Sequence, residues 1–209
     1  MLTDYLKNKF FSEYDKGTMV EVGAAGPVFL SQSKPFRDLG WRCICVEPNP
    51  NFAQMHRDAG NEIYEYACSN EDKDDIDFEM VYMPGDGVTY ESFSSLGVSQ
   101  DLSIASGFHS GKDSIPVNTI KVNCRKLDTI LDLANADKVD YLIVDVEGWE
   151  LNVMRGFSTL KYRPRVIVLE NGIPSTHQSY HDFMNNIGYT FDSFDETTGP
   201  NLVYYNYNF

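Results

Sequence analysis

Residues 145–150 read Asp-Val-Glu-Gly-Trp-Glu, three carboxylates in six positions directly after the apolar run Tyr141–Val144. A carboxylate delivered by the end of a buried strand can take a proton from a hydroxyl or stabilise a neighbouring positive charge. Asp145, the first residue beyond the apolar run, and Glu147 are therefore the candidate catalytic residues. Gly148 permits a sharp exit from the strand, Trp149 and Leu151 can turn inward, and Glu150 reads as a favourable charge on the first turn of the next helix. A second apolar run, 166–169, ends in Glu170-Asn171. Asp145, Glu170 and Asn171 would together form an oxygen-rich set for magnesium or calcium. The simpler reading of Glu170-Asn171 is hydrogen bonding to its own loop, so a divalent metal is not favoured.

Two more acids mark a nucleotide site. Glu21-Val22-Gly23-Ala24-Ala25-Gly26 is a small-residue loop after a short apolar run, where the absence of side-chain bulk lets a ligand approach the backbone. Glu47, in Glu47-Pro48-Asn49, stands 24 residues after Gly23 at the end of the next apolar run, where a carboxylate can accept both hydroxyls of a ribose. Ala67 and Cys68 fall at the end of a further strand. This order suits a dinucleotide or S-adenosylmethionine. A dinucleotide normally needs G-x-G-x-x-G to seat its pyrophosphate, and here the third and sixth positions are Ala25 and Val28. Glu21 would repel pyrophosphate but favour the cationic amino acid end of S-adenosylmethionine. The cofactor-binding set is thus Glu21, Gly23, Ala24, Glu47, Pro48, Asn49, Ala67, Cys68 and Asp145. An NAD-type oxidoreductase and a non-catalytic adenosine-ligand binding module are the alternatives.

The remaining reactive side chains say less. His56 reads as a surface residue of a helix, and His177 and His181 share a helical face. His177 follows the Glu170-Asn171 loop closely enough to reach substrate, His109 falls within the segment 84–116, and either could serve as a general base. Cys43 and Cys45 alternate along a strand and are poorly placed to bond each other. With no C-x-x-C pair, zinc is unsupported, and the four cysteines read as reduced, mostly buried thiols.

The elements that must position these residues alternate. An amphipathic N-terminal helix lies within residues 1–17, with Leu2, Leu6, Phe10 and Tyr14 every four residues. Apolar runs at 19–22, 41–46, 63–66, 117–124, 141–144 and 166–169 predict strands. Helical segments are expected up to Gly40, over 51–59, 127–134 and 149–160, and around 177–186. Two final strands, 189–191 and 202–207, form a hairpin. Six acids within residues 71–79 predict a solvated hairpin tip. Residues 84–116, with eight Ser and five Gly, read as a long loop or lid that would carry acceptor specificity. Strands alternating with helices argue for one Rossmann-like, doubly wound α/β domain over residues 1–209, mostly parallel with an antiparallel C-terminal hairpin. In such sheets ligands bind at the carboxyl ends of the strands, where the acids fall.

Length and charge exclude other classes. A chain of 209 residues can bury a full core. A net charge of −14, from 17 basic and 31 acidic residues, opposes binding to a phosphate backbone, so no nucleic acid partner is expected. The first residues lack the uninterrupted apolar stretch of a secretory signal, and no run approaches the ~20 apolar residues of a membrane span. A cytoplasmic location is the expectation.

The combination VEVGAAG, VEPNP, VNCRKLDTIL, YLIVDVEGWELNVMRG and RVIVLENG, over roughly residues 18–172, resembles the FkbM family of S-adenosylmethionine-dependent methyltransferases. The resemblance implies a class I methyltransferase fold and methyl transfer, usually to a hydroxyl oxygen of a glycan, lipid or small metabolite. By it Glu21 and Gly23 match the cofactor loop, Glu47 the ribose acid, Asp145, Glu147 and Glu150 the acidic motif, and Ser94-Ser95 a serine pair. The family loop usually reads D-x-G-A-N-x-G. Here Ala25 replaces the Asn and Pro27 the last Gly, and Pro27 would serve as a first helical residue.

Overall fold

Tyr141–Val144 is wholly buried, and a strand can be apolar at every position only if both its faces are covered. The computed structural model, which describes residues 2–13, 16–81, 96, 117–193 and 197–209, supplies both covers. Its strands are β1 (Thr18–Val22), β2 (Arg42–Val46), β3 (Glu62–Tyr64), β4 (Ala67–Ser69), β5 (Lys73–Val81), β6 (Val117–Lys126), β7 (Tyr141–Val144), β8 (Val166–Glu170), β9 (Thr190–Ser193) and β10 (Asn201–Tyr205). The helices are α1 (Leu2–Phe10), α2 (Lys34–Arg37), α3 (Pro50–Asp58), α4 (Leu127–Leu133), α5 (Glu150–Arg155), α6 (Thr159–Tyr162) and α7 (His177–Asn186).

A seven-stranded sheet runs in the order β3-β2-β1-β7-β8-β10-β9. The first five strands are parallel, and β10 enters antiparallel between β8 and β9. The fold is therefore the mostly parallel α/β sheet with an antiparallel C-terminal hairpin that the apolar runs predict. Alternate residues feed two cores. Val20, Val22, Leu142, Val144, Ile167 and Leu169 pack against α4 to α7 on one face. Met19, Cys43, Tyr141, Ile143, Val166 and Val168 pack against α1, Phe36 and Trp41 on the other. The strand order reverses at β1 and β7, whose carboxyl ends lie side by side; such a switch point is where open α/β sheets take ligands.

Four local expectations differ from the structure. The acidic segment is not a hairpin tip: Lys73–Val81 is a strand antiparallel to β6, and its acids meet Lys121 and Arg125 across the pair, at 2.6 Å for both Asp77 and Asp74. β4, β5 and β6 make a second, three-stranded sheet. The helix expected over 149–160 is two, α5 and α6. Gly156 lies between them because a Cβ there would stand 2.2 Å from the Ser69 carbonyl oxygen. No helix starts at Pro27, where the chain turns until α2 begins at Lys34. Tyr14 and nearly all of the segment 84–116, including Ser94, Ser95 and His109, lie outside the described residues. Among the described residues no helix is long and apolar enough to cross a membrane.

Candidate active site

β1 ends in Val22-Gly23, and the chain turns there against the end of β7. Gly23 has φ +81°, and a Cβ on it would lie 1.7 Å from the Asp145 carbonyl oxygen, so two constraints require glycine. The turn is sewn to its neighbours: Gly23 and Ala24 N–H donate to Val46 O at 2.9 and 3.2 Å, and Asp145 N–H donates to Val22 O at 2.9 Å. Ala25 then takes a left-handed conformation, φ +42°, unusual for a residue with a Cβ. Its N–H donates to Glu47 Oε2 at 2.9 Å, and its carbonyl oxygen meets His56 Nε2 at 3.1 Å.

Glu47 is buried and its other oxygen accepts Asn49 N–H at 2.8 Å. Each carboxylate oxygen thus holds one backbone N–H and keeps capacity for another donor. Burial raises its pKa to about 7. Glu21, on β1, is equally buried and is also pushed up to about 7 by burial. Its oxygens accept Gln32 N–H at 2.6 Å and Ser33 N–H at 3.1 Å, tying β1 to the chain entering α2.

The third group comes from the ends of β7 and β8. Asp145, Glu147 and Glu170 bring one carboxylate oxygen each to within 4.8 Å of one another. Asp145 is held well above the usual carboxylate range by burial, then by the Glu170 charge and a hydrogen bond with Glu170. Burial and a neighbouring like charge both disfavour the ionised form of a carboxyl group. Glu147 sits at φ +56° and Gly148 at φ +94°. Glu150 fixes this turn: its Oε1 accepts Val146 N–H at 3.1 Å and Gly148 N–H at 3.0 Å, and Tyr180 donates its hydroxyl to Oε2 at 2.7 Å. Glu150 is therefore a buried clamp rather than an exposed helix-start charge. Trp149, which is 37% exposed, is anchored by Nε1–H to Ser69 Oγ at 3.0 Å.

These groups surround one cleft of about 320 Å³ at the carboxyl ends of the parallel strands. Glu21, Gly23, Glu47, Pro48, Ala67, Cys68 and Asp145 all line it, with Glu147 and Glu170. Ala24 and Asn49 do not: Ala24 is buried behind the loop, and Asn49 caps α3 by accepting Asn51 N–H at 2.9 Å. Asn171 turns away as well. Its Oδ1 accepts Ile173 N–H at 2.9 Å and its Nδ2 donates to Thr176 Oγ1 at 2.8 Å, so the carboxylate that meets Asp145 and Glu170 is Glu147, not the Asn171 amide. His177 Nε2 faces Asn171 O at 2.9 Å and does not line the cleft. Cys68 is held far above the usual thiol range by burial and serves as wall, not nucleophile. Sequence reasoning missed Ala25, Phe52, Tyr66 and Phe78 as lining residues, and it placed His56 on the surface, where the structure has it fully buried. Phe52, Ala53 and His56 share one helical face, a spacing that signals the burial.

Five carboxylates and no Lys, Arg or His line this cleft among the described residues. That donor set suits a ligand that is cationic and rich in hydroxyl and amine donors, and opposes a pyrophosphate. It fits S-adenosylmethionine, whose ribose, ammonium and sulfonium groups all prefer carboxylates, with Phe52, Tyr66, Ala67 and Phe78 as apolar wall for a base.

Fold and site together define a Rossmann-like α/β protein with an acidic cleft at its switch point. The family is shown by its own model, the methyltransferase FkbM domain, which matches residues 21–191. The chain belongs to the FkbM methyltransferase family, and membership implies S-adenosylmethionine as the methyl donor. Among solved structures, the precorrin-6y C5,15-methyltransferase of Geobacter metallireducens GS-15 aligns with 92% of this chain and 82% of its own, at 11% identity and a TM-score of 0.41. No curated protein matches the sequence.

Proposed function

We propose that this protein transfers a methyl group to a hydroxyl oxygen of a glycan, lipid or small metabolite. The observation that carries the reading is the cluster of Asp145, Glu147 and Glu170 at the wall of the cofactor cleft, which supplies acceptors for a hydroxyl proton. When bound, S-adenosylmethionine supplies a methyl carbon on a cationic sulfur, which leaves with the C–S electron pair. Glu47 would hold the ribose through the capacity its oxygens retain. Glu21 and Asp145 would face the cationic groups, and a cation beside them favours their ionised forms.

Asp145 is held well above the usual carboxylate range by its burial and by the Glu170 charge, so Glu147 is the carboxylate assigned to the acceptor. It would take the proton from the acceptor hydroxyl as that oxygen is methylated. Holding the hydroxyl in line supplies much of the rate, and Glu150, by fixing the 146–148 turn, holds Glu147 in place. A metal held by Asp145, Glu147 and Glu170 would be an alternative use of the same oxygens, and no separate observation favours it.

The test is transfer of tritiated methyl to a panel of hydroxylated acceptors, followed by alkaline treatment of the product. Label retained in base-stable ether linkage supports O-methylation of a hydroxyl. Label released as methanol would mean ester formation on a carboxylate, and label on amines would place the reaction on nitrogen; either result contradicts the reading.

A further inference from the structure

Beyond the Glu147 and Glu170 carboxylates lies a second cleft of about 240 Å³. Both carboxylates line both clefts, so a ligand in the second cleft meets the groups that close the first. Its lining is polar: the Glu147, Glu150 and Glu170 carboxylates stand at one side, and Asn152 and Arg155 from α5, with Thr176 and Ser179 at the start of α7, complete it. Two of its walls are preorganised. Glu150 is locked by Val146, Gly148 and Tyr180, and Thr176 Oγ1 bonds the Asn171 side chain.

Arg155 stands apart in this setting. It is the one cation lining either cleft among the described residues, in a chain carrying 31 acidic groups. It forms no ion pair among the described residues, where arginines 42, 57 and 125 each do. Its Nη1 donates to Asn152 Oδ1 at 2.8 Å, and its guanidinium lies over the Phe183 ring at 5.9 Å. Arg155 is exposed, and these two contacts leave most of its five donors available. A guanidinium so placed is a receptor for a planar or tetrahedral oxyanion.

We infer that the second cleft is the acceptor site, and that its acceptor is a hydroxylated molecule bearing an oxyanion, the hydroxyl at Glu147 and the oxyanion at Arg155. The inference rests on the methyl-transfer reading and adds to it where the acceptor binds and what charge it carries. A carboxylate, as on a uronic acid, and a phosphate ester share this chemistry.

The experiment uses the full chain saturated with S-adenosylhomocysteine and three probes: methyl glucuronide, methyl glucoside 6-phosphate and uncharged methyl glucoside. Binding is read by ligand-observed NMR, with cofactor binding checked by calorimetry on each sample. One or both charged probes should bind more tightly than the uncharged one. Arg155→Gln should weaken charged-probe binding at least tenfold and leave the uncharged probe unchanged, with Arg155→Lys intermediate because it keeps charge but loses the fork. The better charged probe identifies the oxyanion. Equal binding of all three probes, indifference of the charged probes to Arg155→Gln, or no charged probe binding at concentrations on the order of 10 mM overturns the inference. Failure of S-adenosylhomocysteine itself to bind would instead overturn the methyl-transfer reading.

Discussion

Replacing His56 with Leu tests how the cofactor loop is held. Ala25 sits at φ +42°, a conformation that costs an L-residue about 1–2 kcal/mol. The loop keeps it because its peptide is gripped at both ends, by Glu47 at the N–H and by the buried imidazole at the carbonyl. With Nε2–H donating to Ala25 O, Nδ1 is left to accept Asn61 Nδ2 at 3.1 Å. His56→Leu removes both bonds and strands a carbonyl and an amide, at about 2 kcal/mol. If the open loop cannot bind, affinity for S-adenosylhomocysteine falls by the fraction of loop left formed, up to about thirtyfold. Adding Ala25→Gly relieves the left-handed cost, less what glycine gains in the unfolded chain, about 1 kcal/mol net. It should recover about fivefold in affinity in the His56→Leu background and little in the wild type, where the loop is already formed. Calorimetric titration of the four proteins checks this. Unchanged affinity in His56→Leu, or no rescue by Ala25→Gly, would refute the two-ended grip.

Asp145→Asn keeps a neutral hydrogen-bond donor toward Glu170 but cannot ionise beside a cation; kcat should fall by at least about 10²-fold while S-adenosylhomocysteine affinity stays within a few-fold, and full activity would remove Asp145 from the site. Glu47 has its pKa raised from 4.5 to about 7 on folding, so it stabilises the fold fully below its unfolded value and loses that contribution as pH rises through about 7. The shift corresponds to about 3 kcal/mol, and urea unfolding at pH 5 and pH 8 should show a smaller pH difference in Glu47→Gln than in the wild type, which shares its surface repulsion. Glu150→Ala would strand two N–H groups and the Tyr180 hydroxyl, costing about 3 kcal/mol or more, or a drop in Tm of about 10 °C. Glu150→Gln keeps an oxygen for both N–H groups and should retain most stability and turnover.

The acids that build the site were legible because β-strand ends project into solvent at one edge of a parallel sheet. Continuous apolar runs at 141–144 and 166–169 located those ends, and Asp145, Glu147 and Glu170 followed. What local pattern could not assign was the division of labour within residues 145–150. Glu150 looks like any helix-start acid until the turn folds over it and Tyr180, thirty residues on, arrives as a partner. His56 is polar, and only its helical register with Phe52 and Ala53 betrays its burial. The acidic strand β5 was hidden for a similar reason: its acids are tolerable in a strand because Lys121 and Arg125 lie across from them, and a pairing with β6 is invisible to a local window. Ala25 and Pro27, which break the usual loop pattern, are accommodated by contacts from distant residues, His56 and Glu47 on the first and Arg37 on the Pro27 carbonyl.

The most direct test of the account is calorimetric titration of the purified protein with S-adenosylhomocysteine, with NAD as the control ligand, each repeated in the presence of a chelator. If the acidic cleft takes the adenosine and amino acid parts of S-adenosylmethionine and repels pyrophosphate, S-adenosylhomocysteine binds at micromolar concentration, indifferent to the chelator, and NAD does not bind. Binding of NAD, or of neither ligand, would contradict the assignment of this cleft to S-adenosylmethionine.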